Sequence, residues 1–246
     1  MRCPKCSAIV KQNKIGKTSA GSQRYRCFVC QCKYTPEKKP RGYSPELRKQ
    51  ALRFYVDGMN LRRIARHLGI HHRTVSDWVR AHAESLPAMP MPEEVKTAEM
   101  DELFTFIGDK KNRIYLITMV DRDTRCNLGW KLVWERTKEC IQDLMDEAPK
   151  AKFYFSDGFQ AYSLLWYHYG RYAVSDGKTD TFSVEGDNAE FRHYLARLAR
   201  SSRCFSRSAY ALSCAIHLFV DCFNRRQLYK QRFPLYPAHV MDFVYP

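Results

Sequence analysis

The sequence predicts an α/β protein whose second half is a mixed β-sheet flanked by helices, preceded by a small cysteine-rich module and a helical one. Strand-like and helical segments alternate after residue 98, four early cysteines are spaced as two knuckles, and the charge is unevenly divided. Residues 1–98 hold 20 Lys and Arg against 7 Asp and Glu, whereas residues 99–246 hold 21 against 19. Nearly all of the +15 net charge of this 246-residue chain therefore sits in its first part. A basic module joined to a near-neutral one fits an electrostatic grip on nucleic acid beside a catalytic or assembly domain.

Residues 1–40 contain Cys3-Pro4-Lys5-Cys6 and Cys27-Phe28-Val29-Cys30, two C-x2-C knuckles separated by twenty residues. Cys3, Cys6, Cys27 and Cys30 can surround one Zn²⁺ tetrahedrally, and a site filled by four thiolates is structural. Cys32 is a spare thiol. The remaining cysteines (Cys126, Cys140, Cys204, Cys214, Cys222) are scattered through apolar segments, as expected of buried free thiols in a reducing cytoplasm. Met1–Cys6 does not read as a secretory signal, and no stretch is apolar and long enough to span a bilayer.

Residues 41–84 read as helices, with a helix-turn-helix over Leu61–Val79. Ala65 is small where two helices would cross, Gly69 tolerates positive φ at the turn, and Ile70, Val75 and Val79 supply core contacts. His72, Arg73, Thr74 and Asp77 would then open a recognition helix toward a major groove, with Arg62, Arg63 and Arg66 near phosphates. Residues 85–97, with three prolines between Pro87 and Pro92, form a semi-rigid linker.

The domain over residues 98–246 begins with three strand-like runs, Met100–Ile107, Ile114–Val120 and Cys126–Val133, joined by short loops. A helix (Glu139–Ala148), a buried strand ending at Asp157-Gly158, a helix (about Phe159–Tyr169), a short strand (Tyr172–Val174) and a long helix (Glu185 to about Arg200) follow. A last helix runs from about Ser208 to Leu228. Three strands, helix, strand, helix, strand, helix is the ribonuclease H-like order.

In that arrangement the first and fourth strands are neighbours, so Asp101 and Asp157 would converge, and Glu185 from a later helix would complete an acidic set. Such a set suits two Mg²⁺ ions that clamp the attacking and leaving oxygens of a phosphoryl displacement. Glu185, Asn188 and Arg192 share one polar helix face, which favours Glu185 over Glu190, about 140° round the helix. Arg192, Arg197 and Arg200 either hold the strand being cut or form the solvated side of a helix. Asp121 and Asp123 read as loop residues, and Asp187 as part of a polar, turn-rich stretch.

The runs Val184–Asn188, Leu195–Arg200 and Cys204–Ser208, together with Met100-Asp101-Glu102, Glu135-Arg136-Thr137 and Asp157–Tyr162, resemble transposases of the insertion-sequence-one family. The zinc ribbon and helix-turn-helix match that family's DNA-binding region, so the resemblance covers nearly the whole chain. Many members join their two halves from overlapping reading frames, whereas this chain is continuous. The resemblance implies a DDE transposase with metal-binding roles on Asp101, Asp157 and Glu185, two catalytic Mg²⁺ ions and one structural Zn²⁺. It implies double-stranded DNA partners (terminal inverted repeats and target DNA), strand cleavage and transfer, and no membrane partner. It also implies a nucleoid-associated location in a prokaryotic cytoplasm. Pairing of two DNA ends calls for a homodimer or larger. The alternative is a non-enzymatic, sequence-specific DNA-binding regulator derived from a transposase.

Overall fold

The computed structural model describes residues 1–38, 42–175, 180–200 and 202–244. The chain forms two compact units, Met1–Pro45 and Glu46–Pro246. The expected boundary at residues 40 and 41, and the chain end at residue 246, fall outside the described residues.

The first unit is an antiparallel meander of β1 (Asn13–Lys17), β2 (Gln23–Arg26) and β3 (Lys33–Tyr34). It buries little apolar surface, and its knuckles supply the order. In each, the first cysteine's carbonyl accepts from the N–H four residues on, Ser7 N–H to Cys3 O at 3.0 Å and Gln31 N–H to Cys27 O at 3.1 Å. Ser7 and Gln31 adopt left-handed φ of 58° and 60° to close the turns. The first cysteine's own N–H then donates to the carbonyl five residues on, Ala8 or Cys32. Two loops distant in sequence thus share one hydrogen-bond pattern, and Cys32 takes part through its backbone.

In the second unit α1 (Pro45–Val56), α2 (Leu61–Leu68) and α3 (His72–Ser85) come first. Asn60 caps α2 by accepting from the Arg63 N–H at 2.9 Å. Gly69 ends α2 at φ 65°, the left-handed region that only glycine enters without strain. His71 caps α3 through Nδ1, accepting from the Arg73 N–H at 3.2 Å.

The sheet has the order β6-β5-β4-β7-β8, built from β4 (Thr97–Phe106), β5 (Arg113–Asp121), β6 (Asn127–Val133), β7 (Phe153–Ser156) and β8 (Arg171–Val174). The β4–β5 and β5–β6 pairs are antiparallel, and β4–β7 and β7–β8 are parallel. This is the expected ribonuclease H-like mixed sheet. Met100, Ile117 and Met119 face one side, packing with α4 (Lys138–Glu147), Tyr154 and Tyr162. Leu103, Ile114 and Leu116 face the other, packing with Phe191 of α6 (Phe182–Tyr194) and with α7 (Ala209–Arg232).

Two helices are shorter than their periodicity suggests. The segment after Asp157 contains only α5 (Gln160–Ser163), which ends at Leu164; farther on, His168 and Tyr169 take positive φ and Gly170 lies against the Tyr154 ring and the Ala151 carbonyl. The helix carrying Glu185 ends at Tyr194, not near Arg200. The proline-rich stretch does not divide cores. Leu86 and Met89 pack into the α1–α3 and α7 core, and Pro90 O accepts from Asn224 Nδ2 at 2.9 Å.

Candidate functional site

β4 outruns β7. Their pairing ends at Met100 opposite Ser156, so Asp101 and Glu102 lie just beyond the end of β7, where Asp157 follows. Successive strand residues point to opposite faces, Asp101 toward α6 and Glu102 toward Tyr162 of α5. Asp157 straddles the two. Carboxylate oxygens of Asp101, Glu102 and Asp157 all lie within 4.8 Å of one another.

Each acid is held locally. Asp101 Oδ1 accepts from the Glu102 N–H at 2.7 Å, and its Oδ2 accepts from Asn188 Nδ2 at 2.7 Å. Asp157 Oδ1 accepts from the Phe159 N–H at 3.0 Å, a short Asx turn that leaves the group exposed. Burial, with the charges of Asp157 and Glu185, pushes the Asp101 carboxyl up to about 6. Burial and the charges of Asp157 and Asp101 push Glu102 up to about 7, against the pull of Arg136. Glu102 Oε1 is buried without a hydrogen-bond partner. Crowded, mutually repelling, oxygen-only donors with an orphaned buried oxygen are what a hard divalent cation would relieve.

Glu185 lies on α6, one turn before Asn188. Its oxygens fall outside the 4.8 Å group, yet its charge is felt at Asp101. Glu190 turns away, with Oε2 3.8 Å from Arg226. The neighbours of Glu185 have separate tasks. Gly186 leaves room for the Arg125 guanidinium, which donates to Ser183 O at 2.9 Å. Asp187 is wholly buried, accepting from Asn127 Nδ2 at 3.2 Å, and burial pushes it up to about 7. That corrects the reading of Asp187 as a polar turn residue, and Asp121, buried at the end of β5, likewise is no surface loop residue.

Glu99 carries no signal of its role in the sequence. Wholly buried in β4, it receives Arg122 Nε at 2.6 Å and the N–H groups of Ser183 and Val184 at 2.7 and 3.0 Å. The α6 N-cap residue, Thr181, makes no side-chain cap hydrogen bond, so Glu99 caps this helix from the sheet. Glu102 and Arg136 were visible as parts of motifs, but their meeting at 3.8 Å depends on the fold.

The basic residues divide. Arg62, Arg63, Arg66 and Arg73 are exposed on α2 and α3. Asp77 pairs with Arg80 at 2.9 Å, while His72 and Thr74 are half-buried. Desolvation, then the neighbouring His71, Arg62 and Arg73, push the His72 imidazole down. Arg192 lies close enough to Asp101 for their charges to interact, and Arg200 is exposed. Arg197 is committed internally, donating to Tyr55 Oη and Ser206 Oγ at 2.8 Å each.

In the first unit, Sγ atoms of Cys3 and Cys30, and of Cys6 and Cys27, lie 3.6 Å apart. Tetrahedral ligands about 2.3 Å from zinc stand roughly 3.8 Å from each other. Backbone N–H groups, that of Cys6 first, push the Cys3 thiol down to about 6, and those of the second knuckle lower Cys27. Cys30, despite a backbone N–H from Cys32, is pushed up to about 12 by burial and the other thiols. Four soft donors at this spacing fit Zn²⁺, and Cys32 stands outside the cluster.

Residues 43–90 match the homeodomain-like domain family, and residues 95–225 match the family described as IS1 transposase. The chain belongs to the IS1 transposase family. Among solved structures, this IS1 transposase is similar to a chain of a simian T-cell lymphotropic virus intasome (15% identity, 69% of this chain and 66% of that chain, TM-score 0.38). It is also similar to the Mos1 transposase paired-end complex with left transposon end (12% identity, 79% and 78%, TM-score 0.34). Among the described residues, no helix of this IS1 transposase is long and apolar enough to cross a membrane.

Proposed function

We propose that the chain is an active DNA transposase that cleaves strands at the ends of its own mobile element and joins them to target DNA. The observation that carries this reading is the convergence of Asp101, Glu102 and Asp157 where β4 passes the end of β7, with Glu185 on the Asp101 side. Asp101, Asp157 and Glu185 would hold divalent metal, with Glu102 as a further donor beside Asp157. Bound Mg²⁺ would stabilise charge on the attacking and leaving oxygens of an in-line displacement. Asn188 orients the Asp101 carboxylate, and Glu99 holds the start of α6 so that Glu185 and Asn188 face the strand. Arg192 and Arg200 bring positive charge to the phosphates beside the acids.

The zinc-held first unit and α2–α3 read the terminal inverted repeats, with Arg73 and Thr74 toward base edges and Arg62, Arg63 and Arg66 toward phosphates. Bringing two ends together requires a homodimer or larger. The work is done on chromosomal DNA in the cytoplasm. The test is cleavage and joining of element-end DNA by the full chain with Mg²⁺. Loss of both activities in Asp101→Asn and Asp157→Asn is the expected result, and full activity in either variant overturns the assignment.

A further inference from the structure

Beyond residue 100, β4 has no partner in β7, and an open groove of about 780 Å³ lies along Phe104–Phe106. Arg192, Arg197, Arg200, Arg203 and Lys110 outnumber the one acid among the described residues along it, Asp109, and Phe205 meets Phe106 with ring centroids 4.9 Å apart. Glu102, Phe104 and Phe106 alternate onto one face of β4, opposite Ile117, Tyr115 and Arg113 of β5. On that face Phe104 is 57% exposed, an unusual position for a large aromatic ring in a central strand. Arg113 stacks on it at 4.8 Å. Next along the face, Arg136 is sandwiched between Tyr115 at 4.8 Å and Phe159 at 4.4 Å, and reaches Glu102. The result is a stripe of alternating rings and guanidinium groups that starts beside the carboxylate cluster and ends in the cationic groove.

We infer that this stripe binds an unpaired stretch of the DNA strand leaving the carboxylate cluster, with bases stacked on Phe104 and its neighbours. The inference rests on the transposase reading for the placement of DNA at the cluster. Charge complementarity selects a polyanion. The exposed Phe104 ring then selects among polyanions, because a duplex keeps its bases stacked inside and presents only phosphates and groove edges, whereas an unpaired base offers a free π-face. Guanidinium groups already layered on the rings add cation–π attraction to a stacked base. Opening of the end duplex next to the cut would therefore be stabilised by this face of the sheet.

The test measures binding of the full chain, without added Mg²⁺, to fluorescent duplexes that are blunt or carry a short single-stranded tail. The parent is expected to prefer the tailed duplex. Phe104→Ala should abolish that preference, weakening tailed binding about tenfold while leaving blunt binding unchanged. Arg113→Ala should weaken tailed binding less, and Phe104→Trp should preserve it. No tail preference in the parent overturns the inference. So does a Phe104→Ala variant that binds both duplexes like the parent, or that loses both equally. Failure of the transposase reading would show separately, as absence of Mg²⁺-dependent cleavage while the tail preference persists.

Discussion

Glu99 on the central strand accepts hydrogen bonds from the Ser183 and Val184 N–H groups, so a carboxylate in the sheet caps the helix that carries Glu185 and Asn188. The same carboxylate receives Arg122 at 2.6 Å. One buried group therefore fixes both the β5 exit and the start of α6. Glu99→Ala leaves two α6 N–H groups uncapped and takes one partner from Arg122, which keeps Asp180; together this should cost about 3–5 kcal/mol. That is a large share of a domain's roughly 5–15 kcal/mol of stability. Urea denaturation of the full chain checks this, and a loss below 1 kcal/mol, on the order of one surface pair, would show that the cap is dispensable.

Asn188 reaches the acids through Asp101. Removing such a supporting partner typically weakens metal binding or activity about 10–100-fold. Asn188→Ala should therefore raise the Mg²⁺ concentration needed for cleavage by about that factor without changing binding of end DNA. A Mg²⁺ titration of strand cleavage reads this out, and an unchanged midpoint would remove Asn188 from the site.

Acidic groups pushed upward make metal-free stability depend on pH. Asp101, Glu102 and Asp187 titrate at about 6, 7 and 7 when folded, above the usual carboxylate range. The folded state then binds more protons than the unfolded state between about pH 4 and 7. Their favourable contribution is complete at low pH and is lost as pH rises through 6–7. Thermal melts of metal-free protein should therefore fall from pH 5 to pH 8. Mg²⁺ should restore much of the loss at pH 8, and Asp187→Asn should flatten the remainder. A melting temperature that rises over that interval contradicts the assignment of these groups.

The knuckles predict one zinc per chain. Cys3→Ser or Cys27→Ser should release it and expose the first unit to protease while Glu46 onward stays folded, whereas Cys32→Ser should keep full zinc content. Elemental analysis with limited proteolysis decides this, and zinc loss in Cys32→Ser would redraw the ligand set.

On the helix-turn-helix, Arg73→Ala should cost about 1–3 kcal/mol on the correct end sequence and little on random DNA. Arg62→Ala should instead weaken both alike and lower the salt slope by about one. Salt-dependent binding isotherms on both DNAs separate the two roles, and equal effects of the two variants would contradict the proposed orientation of α3.

Much of this protein was determined by the sequence alone. The knuckles, the turn at Gly69, the apolar runs of β4 and β7 and the polar face shared by Glu185 and Asn188 are legible because each reports on neighbours within one element or one tight turn. The tertiary structure alone decided which side chains were covered and by what. Asp187 reads as part of a polar stretch until Asn127 closes over it, and Arg197 meets Tyr55 and Ser206 only through the fold. Glu102 joins Asp157 only because β4 runs past the end of its parallel partner. Periodicity records which face a residue occupies. Whether that face meets solvent, another helix or a crowd of like charges is set by pairing between segments tens of residues apart, which no local pattern encodes.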